Sequence, residues 1–150
     1  MKIFKILLVF AVFFSLAGVA NAQKIQIKTM SGKVFTYGDN ASLTTTDSLN
    51  HVIDSIHLYD NTAGMLEVSV AGLDIASGNA VTGSQIVRYA KKSGTLTLGS
   101  PANILAKVTD TSISGATFTI AASGNNVIVQ VNGATGKTIR WKCLVKQVFP

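Results

Sequence analysis

The chain has 150 residues, 13 basic against 7 acidic, a formal charge of +6, and only 13% charged residues beside 47% hydrophobic ones. That length fits one domain rather than two. The composition excludes a disordered chain and a coiled coil, and a single cysteine excludes a disulfide-stapled miniprotein.

The chain opens with a segment that reads as an export signal. Lys2 and Lys5 give a positive start, Ile6 to Ala17 form an apolar run broken by Ser15, and Ala20-Asn21-Ala22 is a small-x-small cleavage pattern. The apolar run falls short of the ~20 residues a membrane-spanning helix needs. Residues 1–22 are therefore expected to be a signal peptide, and 23–150 one secreted domain, extracellular or periplasmic, with no membrane span after cleavage.

The remainder is rich in Thr, Ser, Gly, Val and Asn, a composition suited to short strands and polar turns. Lys24–Thr29 alternates Ile25 and Ile27 with polar neighbours, and Val34–Tyr37 follows the turn Ser31-Gly32. His51–Leu58 reads as a strand with mixed faces. Leu66, Val68 and Val70 alternate with Glu67, Ser69 and Ala71, a clear two-residue period. Gln85–Lys92, Thr95–Leu98 and Ile104–Thr109 come next, with Ala76–Ser84 as the longest loop before them. Phe118 with Ile120, then Val127, Val129 and Val131, mark two further strands.

The last strand, Thr138–Val148, sets Ile139, Trp141, Cys143 and Val145 on one face and Arg140, Lys142, Leu144 and Lys146 on the other. Trp141 and Cys143 are thereby core residues, the thiol acting as a small hydrophobe. Gly- and Asn-rich breakers separate these runs, supplying the positive φ of tight hairpins. Eight to ten strands with no helical stripe predict an all-β fold, an antiparallel β-sandwich of jelly-roll-like type.

Few residues offer catalytic chemistry. His51, Asp54 and His57 lie close in sequence, but a regular strand points 54 away from the other two and separates the histidines by about 20 Å. Gly133-Ala134-Thr135-Gly136-Lys137-Thr138 resembles the end of a phosphate-binding loop, yet Val131 stands where its first glycine belongs and a strand follows instead of a helix. Asn40-Ala41-Ser42 matches a glycosylation sequon, a short triplet that recurs by chance. The chain reads as non-catalytic, with no cofactor and no metal.

Binding is the more open question. Arg88, Lys91 and Lys92 form one positive cluster, and Lys137, Arg140, Lys142 and Lys146 another. They suit anionic partners or a solvated face, but without interleaved exposed aromatics they do not make a specific nucleic-acid platform. Tyr37, Tyr59, Asp60, Asn61 and Asn79 are the loop and turn residues able to stack on and hydrogen-bond a cell-surface glycan. Leu144 and Val148 are candidates for an apolar self-association surface.

Several phrases between Ala41 and Val148 carry a resemblance. They include Thr44-Thr45-Thr46 before Ile53-Asp54-Ser55-Ile56, Asp60-Asn61-Thr62-Ala63-Gly64 before Leu66-Glu67-Val68, and Ala80-Val81-Thr82-Gly83. Val87-Arg88-Tyr89, Ser93-Gly94-Thr95-Leu96-Thr97-Leu98-Gly99 and Gly115-Ala116-Thr117-Phe118-Thr119-Ile120 follow. The last are Ser123-Gly124-Asn125-Asn126-Val127-Ile128-Val129-Gln130-Val131 and Gly136-Lys137-Thr138-Ile139-Arg140-Trp141. Together they resemble the β-domain of phage and prophage-encoded tail-fibre-like or virion-associated structural proteins. The resemblance implies a sandwich, structural or receptor-contact work and self-association, a homotrimer being one form. It supplies no catalytic residues, and the export signal points to a secreted relative.

Overall fold

The computed structural model describes Gln26–Lys28, Val34–Tyr37 and Ala41–Val148, with side chains from Ala41 onward. The signal segment 1–22 and the Ser31-Gly32 turn lie outside these residues, as does Asn40 of the sequon. The described chain forms eleven strands, β1 (Gln26–Lys28), β2 (Val34–Tyr37), β3 (Ala41–Thr45), β4 (Asn50–His57), β5 (Thr62–Asp74), β6 (Ala80–Lys92), β7 (Thr95–Leu98), β8 (Ala102–Thr109), β9 (Thr117–Ser123), β10 (Asn126–Asn132) and β11 (Ile139–Val148). The only helical element among them is a single 3-10 turn, Thr111–Ile113.

All pairings are antiparallel. The large sheet is built on β11, β5 and β6; β2 and β3 pair the outer side of β11, while β7 and β8 pair the outer side of β6. The small sheet is β4-β10-β9. Their inner faces share one core, as a sandwich requires. Leu66, Val68 and Val70 of β5 with Val81 and Val87 of β6 form part of one wall, and Phe118, Ile120, Val127, Val129 and Val131 the other.

Trp141 of β11 has 0% exposure and donates its indole Nε1–H to Thr45 Oγ1 at 2.9 Å, so the bulky ring is buried with its polar atom satisfied. Cys143 is buried beside it on the same strand face. Burial, aided by the nearby Asp54 charge, pushes its thiol up to about 12, which leaves it in the inert neutral form.

Two expectations are corrected here. The strand expected at Gln85–Lys92 begins five residues earlier, at Ala80, so the Ala76–Ser84 loop shrinks to a short turn after Asp74. Thr82, Gly83 and Ser84 look like turn residues, yet Gly83 is a packing residue: a Cβ there would lie 2.9 Å from Cε1 of Phe118 on the opposing sheet. The second correction concerns His51, Asp54 and His57. A register shift between Val129 and Gln130 pairs Asp54 with Val129 and His51 with Val131, both inward positions, whereas His57 pairs with outward Asn126. The bulge reverses the alternation that a regular strand predicts.

The turn after β5 is held by one carboxylate. Asp74 is fully buried and accepts from Ser77 Oγ at 2.6 Å and the Ala76 amide at 3.2 Å, with Lys137 Nζ 3.6 Å away. The Ser77 hydroxyl, opposed by burial and helped by the Ala76 amide and Lys137, holds the carboxyl below its ordinary 3.8. A depressed acid stabilises the fold above its unfolded pKa, and that contribution is lost as pH falls through the folded value. Urea midpoints are therefore expected to fall between pH 7 and pH 3, and Asp74→Asn to show a smaller fall from a lower starting value.

Candidate functional site

The five residues expected to contact a glycan separate into three places. β5 is 13 residues long, roughly 40 Å of extended chain. The Tyr59-Asp60-Asn61 turn precedes β5 and Asn79 follows it, so the two lie at opposite ends of the sandwich. Tyr37 lies on β2 opposite Lys146, two strands from β5 on its β11 side and toward the end that carries the Tyr59 turn.

At the first end the turn is built around a buried cation. Lys91 of β6 points inward with 5% exposure, and its Nζ donates to the Leu58 carbonyl at 2.7 Å with Asp60 Oδ1 3.5 Å away. Asp60 also accepts from the Gly94 amide at 3.1 Å, which ties the β4–β5 turn to the β6–β7 turn. Asn61 takes φ 59°, a left-handed position that asparagine tolerates. Tyr59 is left 75% exposed, its ring edge-on to His57 at 5.5 Å between centroids, and His57 Nδ1 lies 2.9 Å from Asn126 Oδ1. An exposed aromatic beside an imidazole, an amide and a carboxylate is thus presented on a fixed turn.

At the other end Asn79 is engaged internally. Its Nδ2 donates to Ser77 Oγ at 2.8 Å and to Ser112 Oγ, which locks the β5–β6 turn to the 3-10 turn. Here His51 Nε2 meets Asp47 Oδ1 at 2.7 Å, a contact that, with the Leu49 amide, lowers the Asp47 pKa. Among the described residues no group of His, Cys, Asp and Glu is placed to hold a metal ion.

The outer face of the large sheet gathers what the sequence left scattered. Arg140, Lys142, Leu144, Lys146 and Val148 alternate outward along β11, opposite Leu73, Ala71, Ser69, Glu67 and Met65 of β5. Leu144 is 41% exposed, and Val148 is half-buried beside Met65. Arg88 and Lys92 of β6 are exposed too, so the Arg88-Lys91-Lys92 cluster divides, with Lys91 in the interior. Lys137 likewise leaves the second cluster to pair with Asp74.

Across this face runs a shallow groove of about 300 Å³. Ser69, Ala71, Thr82 and Ser84 form its floor, and Leu105 of β8 and Leu144 with Lys142 of β11 stand on opposite sides. Ser69 Oγ donates to Ser84 Oγ at 3.0 Å across the floor. The alternation shows that each of these residues faces outward. Which of them meet depends on register, and nothing local in the sequence encodes that.

The β8 edge is a second surface that the sequence did not single out. Ala102–Val108 is exposed throughout, with Ile104 at 53%, Leu105 at 56% and Val108 at 61%. Its only strand partner among the described residues is β6, through two register shifts. Lys107, the strand's one charge, donates to Thr117 Oγ1 of β9.

No protein-family model matches the chain, and no curated protein matches it. Among solved structures it is similar to the tailspike protein of Acinetobacter baumannii phage AM24, with a TM-score of 0.47 and 10% identity over 77% of this chain and 26% of the tailspike. It is also similar to tailspike gp49 of Acinetobacter baumannii bacteriophage Fri1, a capsular polysaccharide depolymerase, with a TM-score of 0.43 and 13% identity over 84% of this chain and 20% of that one. The chain therefore spans about a quarter or less of the length of these tailspikes.

Proposed function

We propose that the chain is an exported, non-catalytic structural or adhesion module of a spike- or fibre-like assembly, and that it associates with copies of itself. The observation that carries this reading is β8, an eight-residue edge strand that leaves Ile104, Leu105 and Val108 more than half exposed. Edge strands of monomeric proteins are usually blunted by charge, proline or cover, because their free N–H and C=O groups invite another strand. Here the one lysine is turned toward β9.

His51 is held by Asp47 and His57 by Asn126, at opposite ends of the small sheet. Light scattering after size exclusion, over a range of concentrations of the purified protein, tests the proposal. A closed oligomer is expected, with a trimer as the form the resemblance implies. A monomer at every concentration would overturn self-association. It would favour the second reading, a monomeric glycan binder using the exposed Tyr59 and its neighbours Asp60 and Asn61.

A further inference from the structure

The outward face of the large sheet carries nearly all of the unpaired positive charge of the described residues. Arg140, Lys142 and Lys146 alternate along β11, about 6.6 Å apart for neighbouring outward positions. Arg88 and Lys92 lie two strands away on β6, level with Val148 and beyond it, so they stand about 20 Å or more along the sheet from Lys142 and Arg140. Among the described residues the only acid on this face of the strands is Glu67, already 3.8 Å from Lys146. Arg88, Lys92, Arg140 and Lys142 have no acidic partner among the described residues. By contrast, the cations elsewhere in the described sandwich are engaged, Lys91 with Leu58 and Asp60, Lys107 with Thr117, and Lys137 with Asp74.

Charge of one sign on an open face repels a second copy presenting the same face and attracts a polyanion. Three features select the kind of polyanion. The groove beside Lys142 has a floor of Ser69, Thr82, Ser84 and the small Ala71, and the hydroxyls are of the kind that bond sugar hydroxyls. Its walls are Leu105 and Leu144, not aromatic rings, so it offers no stacking platform for nucleic-acid bases. It crosses paired strands β11, β5 and β6, whose backbone groups are already bonded, so an extended peptide has no free ladder to join there.

We infer that this face is a binding site for an acidic polysaccharide, its carboxylate or sulfate groups meeting Arg140 and Lys142 while a sugar unit settles in the Ser69–Thr82–Ser84 groove. The inference deepens the adhesion part of the proposed function; its charged contacts, Arg140 and Lys142, lie three strands from the β8 edge, and the two sites meet only at Leu105.

The test is titration of the purified protein with polygalacturonate and heparin, with neutral dextran, poly-L-glutamate and a single-stranded oligonucleotide as comparisons. Arg140→Ala/Lys142→Ala is expected to weaken polysaccharide binding at least about tenfold, in line with loss of charge-assisted hydrogen bonds. Arg88→Ala/Lys92→Ala, which removes the same net charge from exposed positions at the opposite end of the sheet, is expected to change it less than about twofold. Ala71→Phe, at an exposed position on the groove floor, is expected to abolish the gain of polysaccharide over poly-L-glutamate while leaving the thermal midpoint in place.

Failure to bind either acidic polysaccharide would overturn the inference. So would equal losses in the two double variants, or binding of dextran, poly-L-glutamate or oligonucleotide as tight as that of the acidic polysaccharides. Light scattering on the same samples separates this outcome from the self-association reading. A monomer that still binds polygalacturonate through Arg140 and Lys142 keeps the site and loses the oligomer, and an oligomer that binds nothing does the reverse.

Discussion

Trp141→Ala is expected to lower unfolding stability by about 3–5 kcal/mol, the cost of emptying a large aromatic site in a core. Domains of this size are commonly stable by about 5–15 kcal/mol, so the variant should stand near the limit of folding at room temperature. The ring is completely buried, and the cavity cannot readily collapse because its walls are paired strands: β3 lies on one side of Trp141, and Gly72 of β5 on the other. Removal of the indole also leaves the Thr45 hydroxyl, on a residue only 2% exposed, without its donor.

Gly72 provides the internal check. A Cβ at that position would lie 2.7 Å from Trp141 Cε3 and 2.9 Å from Val81 Cγ1. Gly72→Ala alone should therefore destabilise by about 1–3 kcal/mol through overpacking. Beside Trp141→Ala the same methyl meets only Val81, so its cost should fall. Urea unfolding followed by far-ultraviolet circular dichroism measures both, and a coupling energy near zero would show that the two residues do not share one packing site.

The tryptophan was legible in the sequence because burial on one face of a strand imposes a two-residue period. Ile139, Trp141, Cys143 and Val145 keep that period and are all buried, as are Leu66, Val68 and Val70. Legibility ends where the period is carried by residues whose polarity says something else. Ala80–Ser84 is strand, but Thr82 and Ser84 face outward over the groove, and the inward position is a glycine because Phe118 leaves no room for a Cβ.

The charged clusters show a different limit. Lys91 and Lys92 are adjacent in sequence, yet one is buried against the Leu58 carbonyl and the other is in solvent, as alternation requires. A positive cluster counted along the chain says nothing about which cations share a face. Once β11 and β6 are known to flank β5, the outward set follows; the sequence contains the side chains but not the pairing. The His51–His57 stretch fails for a third reason, a bulge, which no residue in it announces.

The β8 edge should be the most sensitive point of assembly. Ile104→Lys/Val108→Lys is expected to weaken self-association by about a hundredfold or more, since each copy loses two exposed apolar side chains worth roughly 1.5–3 kcal/mol when buried and gains two like charges at the contact. Neither residue contributes to the core, so monomer stability should move by no more than about 0.5 kcal/mol. The mass by light scattering should fall to that of a single chain.

An assembling protein gains stability by mass action, so its thermal midpoint should rise with concentration, and this dependence should disappear in the variant. Arg140→Ala/Lys142→Ala, three strands away on the same face, should leave both mass and concentration dependence as they were. If instead the lysines at β8 change nothing while alanines at 140 and 142 alter the mass, the copies meet across the basic face. The unpaired cations would then be the rim of a contact with acidic groups of the neighbouring copy, not a seat for a sugar.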